Sequence, residues 1–149
     1  MLAIGLMMGA FFGMEIFSWA FHKYLMHGPF WSIHKTHHRK HTGHFELNDL
    51  FSLFFGSIAV LLIIAGAENT DYRFWIGCGI SLYGFVYFIL HDVFIHRRVK
   101  NWKRPATFYF DSITQAHRDH HKTDQKHDSV SFGFLLVPRR YFKHRQHAD

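Results

Sequence analysis

His22-Lys23-Tyr24-Leu25-Met26-His27 and then His34-Lys35-Thr36-His37-His38 stand directly after an apolar run that fills residues 1–21 and holds one charge, Glu15. The same two-part pattern recurs, with His91-Asp92-Val93-Phe94-Ile95-His96 closing the apolar run 74–90 and His117-Arg118-Asp119-His120-His121 further on. An HxxxxH is paired with an HxxHH twice, and ten of the fifteen histidines in 149 residues fall in that doubled pattern. A third apolar run, 50–67, lies between the two copies and carries no charge.

A bilayer-crossing helix needs ~20 predominantly apolar residues, with ~17–25 workable. All three runs meet that length, and a soluble domain of this size could not bury three uniformly apolar helices on every face. Sixteen of the seventeen Lys and Arg lie within 23–40 and 97–145, whereas the connection 68–73 holds only Arg73. By the positive-inside rule the basic side is cytoplasmic, with the amino terminus and the 68–73 turn on the other face. No positive charge precedes the first run, so a secretory signal peptide is not expected. The predicted fold is all-α: an integral membrane helical bundle with about three spanning helices (1–21, 50–67, 74–90) and a cytoplasmic helical cap (22–49 and 91–149) that carries a histidine-rich dimetal site. One domain covers 1–149, since this length suits a single core. The mean hydropathy of −0.08 then averages lipid-soluble helices with a polar cap.

Local signals set the boundaries. Gly28 and Pro29 stop the first helix at His27. Asn48 or Asp49 caps the second span, and Asn69-Thr70-Asp71 has turn chemistry. Pro105 and Thr107 precede a helix over 108–122 with a stripe of Tyr109, Ile113, His117, His120 and His121.

Helical geometry explains HxxHH, because residues i+3 and i+4 lie about −60° and +40° from i, so three imidazoles share one face and can serve two metals. HxxxxH is less tidy, since i and i+5 differ by about 140° on a regular helix. Those pairs either straddle a metal or sit where the helix loosens at its end, near Gly28 or near Arg97 and Arg98. With three spans, both HxxxxH ends emerge on the face that holds both HxxHH segments, so the half-sites can meet; two or four spans would separate them. The single cysteine, Cys78, excludes a disulfide framework, a cysteine zinc ribbon and an iron–sulfur cluster, which leaves nitrogen and oxygen ligands. Imidazole suits iron, zinc, copper and nickel alike. Eight to ten ligands exceed the four of one tetrahedral zinc and imply two metals. Of the remaining histidines, His144 and His147 belong to a polar tail, and His41, His44 and His127 are surface or supporting residues. The net charge of +6 suits anionic lipid heads or an acidic redox partner better than nucleic acid, for which no recognition motif is present.

These residues resemble the membrane-bound histidine-motif di-iron oxygenases and, within them, the β-carotene 3-hydroxylase branch. The likeness extends from about Gly13 to Pro138. Besides the four histidine motifs it rests on Gly13-Met14-Glu15, Lys23-Tyr24-Leu25-Met26-His27-Gly28, Phe45-Glu46-Leu47-Asn48-Asp49, His91-Asp92 and Ser131-Phe132-Gly133-Phe134-Leu135. Val93-Phe94 stands where many relatives have Gly-Leu, His44 replaces a small residue, and Lys126-His127-Asp128 replaces a Glu-Gly-Cys-like stretch; none of these removes a presumed ligand. The resemblance implies hydroxylation at C3 of the β-ionone ring, from β-carotene through β-cryptoxanthin to zeaxanthin. It implies two non-haem irons, O2 as co-substrate, and electrons from a ferredoxin or another reductase, in a protein of the bacterial inner membrane. The implied iron ligands are His22, His27, His34, His37, His38, His91, His96, His117, His120 and His121, with the first half mainly on one iron, the second mainly on the other and the middle histidines crossing over. Asp92, Glu46, Asn48, Asp49 and Asp119 would orient imidazoles through their outer N–H groups, although helix capping competes for Asn48 and Asp49. Glu15 should face the bundle interior, because a charge facing lipid is expensive. The helices' Phe and Trp side chains offer either a polyene slot or packing and lipid contact. A fatty-acyl or sterol hydroxylase or desaturase of the same superfamily is the nearest alternative, and a non-catalytic membrane metal-binding protein the alternative of another class.

Overall fold

The computed structural model describes residues 1–39 and 45–142; His41, His44, His144 and His147 lie outside the described residues. Helix α1 (Leu2–Ala20) runs on into a π-helical segment, Phe21–Met26, and is followed by α2 (Trp31–His38), α3 (Asp49–Ala67) and α4 (Tyr72–Tyr87). Helix α4 likewise continues as a π-helix, Phe88–Ile95, before α5 (Phe108–His120) and a short 3-10 turn, Arg139–Phe142. The described residues include no strand.

Among the described residues, three helices are long and apolar enough to cross a membrane: Leu2–Met26, Asp49–Ala67 and Tyr72–Ile95. Two outrun the predicted spans because each continues through its π-helical segment to the histidine level. Helix α4 is the middle one, packed on α1 and on α3. Two glycines two positions apart, and so on roughly opposite faces of a helix, allow both approaches. A Cβ on Gly77 would lie 2.8 Å from the Ala59 carbonyl oxygen of α3, and one on Gly79 would lie 2.3 Å from the Met7 carbonyl oxygen of α1. The outward faces remain apolar and exposed, as at Ile4, Phe12, Ile16, Leu53, Leu61, Ile64 and Phe85. A surface of that extent calls for lipid.

The π-helical segments answer the HxxxxH question. The His27 N–H donates to the His22 carbonyl at 3.0 Å, and the His96 N–H donates to the His91 carbonyl at 2.8 Å. This i to i+5 bonding widens each turn by one residue, so side chains five apart meet, with ring centroids 5.2 Å apart for His22 and His27 and 4.5 Å for His91 and His96. The helix loosens at its end. Arg97, in the left-handed region at φ 57°, then turns the chain away.

At the helix starts the capping expectations divide. Thr107 caps α5, its hydroxyl accepting from the Phe110 N–H at 3.2 Å. Asn48 occupies the cap position of α3 without a side-chain cap bond, because its carbonyl oxygen is engaged by His34. Asp49 accepts from the Glu46 N–H instead of capping forward. Helix α5 ends at His120, two residues short of the prediction.

Glu15 faces the interior and is 2% exposed. One carboxylate oxygen accepts from the backbone N–H groups of Phe134, Leu135 and Leu136 at 3.0, 2.8 and 2.8 Å. The other accepts from the Tyr83 hydroxyl at 2.8 Å. The chain near residue 134 is thereby folded back into the bundle, where Phe134 packs with Ile95, Phe110 and Ile113.

Candidate metal centre

The ten patterned histidines converge where the spans meet the cap. His22, His27, His34, His38 and His120 form one group and His37, His91, His96 and His117 another, and in each group one nitrogen per ring lies within 4.8 Å of all the others. His121 sits beside the second group, its ring centroid 4.4 Å from that of His117 and 4.6 Å from that of His37. Each HxxHH divides in the same way. The i and i+4 rings, about 40° apart around the helix, stay together: His34 with His38, and His117 with His121. The i+3 ring, on the other side of i, joins the opposite group. So His37 sits with the second-half histidines and His120 with the first-half ones.

The outer nitrogens determine the tautomers. The Nδ1–H groups of His22, His27, His38 and His120 donate to the carbonyls of Phe132 (3.1 Å), Lys126 (3.0 Å), Thr123 (2.9 Å) and Val130 (3.1 Å). His34 Nδ1 donates to Asn48 Oδ1 at 2.7 Å, His37 Nδ1 to Glu46 Oε1 at 2.7 Å and His91 Nδ1 to Asp92 Oδ1 at 3.1 Å. A neutral imidazole holding its proton on Nδ1 has a lone pair on Nε2. Four close contacts then join lone pair to lone pair: His22 to His34 at 3.0 Å, His34 to His38 at 3.2 Å, His27 to His120 at 3.2 Å and His37 to His91 at 3.1 Å. No proton is available to bridge them, and a shared cation satisfies both partners. Separations near 3 Å are those of two nitrogens bound to one ion at ~2.0–2.1 Å. His121 Nε2 is buried with no hydrogen-bond partner among the described residues, as a further ligand atom would be. The donor set fits a transition-metal pair.

Burial favours the neutral form of eight of these rings outside the spans. It lowers His34 to about 3, His38 to about 4, and His96 and His120 to about 2, and it moves His27, His37, His117 and His121 down as well. Neighbouring imidazoles add to the effect, and neutral imidazole is the ligating form.

The supporting residues are partly those the sequence suggests. Glu46, Asn48 and Asp92 each accept from an imidazole, as above. Asp49 reaches the site indirectly, accepting from Arg98 at 2.8 Å. Arg98 also donates to the Glu46 oxygen that holds His37 and lies 3.5 Å from Asp92. Asp119 accepts from no ring among the described residues: it pairs with Lys122 at 2.8 Å and accepts from Gln115 at 2.9 Å. His127 is exposed. Sequence reasoning missed Arg98, Tyr83 and the four carbonyls between Thr123 and Phe132. Every residue carries a carbonyl, so no pattern marks these, and Arg98 stood out only as a basic residue near His96. A cavity of about 290 Å³ opens beside the second group, lined by His37, His38, Arg39, Ile95, His96, His117, Arg118 and His121.

A helical bundle with three membrane-length apolar spans that gathers buried neutral imidazoles at one end is a membrane protein built around a metal centre. The chain belongs to the fatty acid hydroxylase family, whose model matches residues 7–139 and so encloses all ten histidines. It is 40% identical to a β-carotene hydroxylase of a Paracoccus species (strain PC1) over 84% of this chain and 78% of that protein. It is also 40% identical to a β-carotene hydroxylase of Pantoea ananas, over 85% of this chain and 72% of that one. A chloroplastic β-carotene 3-hydroxylase of an Oncidium hybrid is 37% identical over 88% of this chain, which spans 44% of that longer protein. No solved structure matches.

Proposed function

We propose that this chain is a single membrane-bound domain that hydroxylates C3 of the β-ionone ring, taking β-carotene through β-cryptoxanthin to zeaxanthin. One atom of O2 enters the C–H bond and the other leaves as water, with two electrons and two protons from an external donor closing the balance. The observation that carries the reading is the pair of imidazole groups at the ends of apolar spans, in a chain 40% identical to bacterial β-carotene hydroxylases. A C3 methylene is unactivated and its molecule resides in lipid, so the reaction needs a strong oxidant at the membrane edge.

Two irons would supply that oxidant from O2, as the cofactor carries the hard chemistry and the protein positions it. His22, His27, His34, His38 and His120 would hold one, and His37, His91, His96 and His117, with His121 beside them, the other. The chain's own contribution is orientation. Glu46, Asn48, Asp92 and the carbonyls of Thr123, Lys126, Val130 and Phe132 hold the protons of the outer nitrogens and aim the lone pairs inward. Asp49 acts through Arg98. The spans exclude water on the lipid side, where Phe17 and Phe21 of the first span interlock with Phe51 and Phe55 of α3 and offer an aromatic wall to a polyene. On the other side the arginine-flanked cavity suits an acidic electron donor such as a ferredoxin or another reductase. The basic cap supports, by the positive-inside rule, a cytoplasmic histidine face in a protein of the bacterial inner membrane.

Pigment analysis of β-carotene-producing bacteria expressing the chain tests the reading. Zeaxanthin accumulation is the expected result. Unchanged pigment with altered acyl lipids would transfer the activity to a fatty-acyl substrate, and two bound metals without any O2-dependent product would leave a metal-binding protein.

A further inference from the structure

The two histidine groups differ in what stands behind them. In the first, four outer N–H groups donate to backbone carbonyls and the fifth to an amide oxygen, so every support is neutral. In the second, His37 and His91 donate to the carboxylates of Glu46 and Asp92. Asp49 adds a third carboxylate nearby, and the three share one guanidinium, that of Arg98. Arg39 and Arg118 line the cavity on this side but are exposed, so solvent screens them. The side chains of Glu46 and His37 are 6% and 3% exposed, where screening is weak.

We infer that the two metal positions are inequivalent, and that the one formed by His37, His91, His96 and His117 takes up a divalent cation first and more tightly. A carboxylate accepting from an imidazole raises the basicity of the opposite nitrogen, and its charge attracts the ion through a low-dielectric interior. Donor number does not offset this, since His121 beside the four brings the second group level with the five of the first. Glu46 is the chief positioning residue, because one of its oxygens meets both His37 and Arg98. The inference rests on the reading that both groups hold an ion.

The test is a cobalt(II) titration of the metal-stripped full-length protein in detergent, followed by visible ligand-field absorption and equilibrium dialysis. Two steps are expected, the tighter lost in His91→Ala and kept in His27→Ala. Glu46→Gln and Asp92→Asn should each weaken the tight step ~10–100-fold and spare the weak one, with Glu46→Asp recovering part of the loss. Should Glu46→Gln lose its helical circular dichroism, Asp92→Asn decides. A tight step that is lost in His27→Ala instead, two ions of indistinguishable affinity, or equal weakening of both steps by the carboxylate variants would overturn the inference while leaving the two-ion reading intact. Fewer than two ions bound by the unmodified protein would overturn that reading, and this inference with it.

Discussion

Glu15 and Phe134 are 119 residues apart in the chain, yet the Phe134 N–H donates to the Glu15 carboxylate at 3.0 Å within the bundle. The contact ties a membrane helix to the loop whose Phe132 carbonyl holds the Nδ1 proton of His22. Seven residues of helix, about 10 Å, separate Glu15 from His22. The carboxylate supports the histidine through that loop.

Glu15→Ala leaves three backbone N–H groups and the Tyr83 hydroxyl without their acceptor. The expected loss is on the order of 3 kcal/mol, since an unpaired buried donor costs ~1–3 kcal/mol. Tyr83→Phe removes one donor to Glu15 and the 2.6 Å bond between the Tyr83 and Ser18 hydroxyls, and should cost ~1–2 kcal/mol. Thermal unfolding in detergent measures both, and equal destabilisation by the two variants would contradict the three-bond anchor.

The exchanged histidines make a prediction that motif membership alone does not. His120→Ala should resemble His27→Ala in which ion it loses, although His120 shares its motif with His117. His37→Ala should resemble His91→Ala. Bound metal per chain and cobalt absorption bands report the pairing; grouping by motif in place of grouping by contact would refute it.

Acid should destabilise the metal-free protein. His34 and His38 have ordinary values near 6.5 in the unfolded chain and are held down to about 3 and about 4 by burial in the fold. Between those values the unfolded state binds more protons, so their contribution is complete above pH 6.5 and is lost as pH falls toward 4 and 3. Melting temperatures in detergent at pH 8, 6.5 and 5 should decline in that order. A flat profile would mean the rings are not buried in neutral form.

Gly79→Val should separate α1 from α4. A Cβ there meets the Met7 carbonyl oxygen at 2.3 Å and the Ala10 Cβ at 2.7 Å, and backbone cannot yield without moving the helix. The expected cost is ~1–3 kcal/mol, visible as a lower melting temperature. Gly84→Val, with nothing within 4 Å of a Cβ, should be close to neutral.

Much of this protein is local, and what is local was legible in the chain. Three charge-free or nearly charge-free runs of membrane length announce the spans, and the spacing in HxxHH places three imidazoles on one helical face whatever surrounds it. The charge distribution and the odd number of spans bring both half-sites to the same end. Glu46, Asn48 and Asp92 are marked as supports only through the family resemblance of the Phe45–Asp49 and His91-Asp92 phrases; the bonds of Glu46 to His37 and of Asn48 to His34 reach nine and fourteen residues back along the chain.

Tertiary structure alone decided the rest, because it depends on residues brought together from far along the chain. A regular helix would separate the two histidines of each HxxxxH, and the bundle instead stretches both helix ends into π-helical turns. His37 and His91, 54 residues apart, meet at 3.1 Å, and no spacing within either motif specifies that partner. The carbonyls of Thr123, Lys126, Val130 and Phe132 act as supports only because Glu15 and the core around Phe134 hold that loop against the histidines. Periodicity sets which face a ring occupies, and helix packing sets what that face meets.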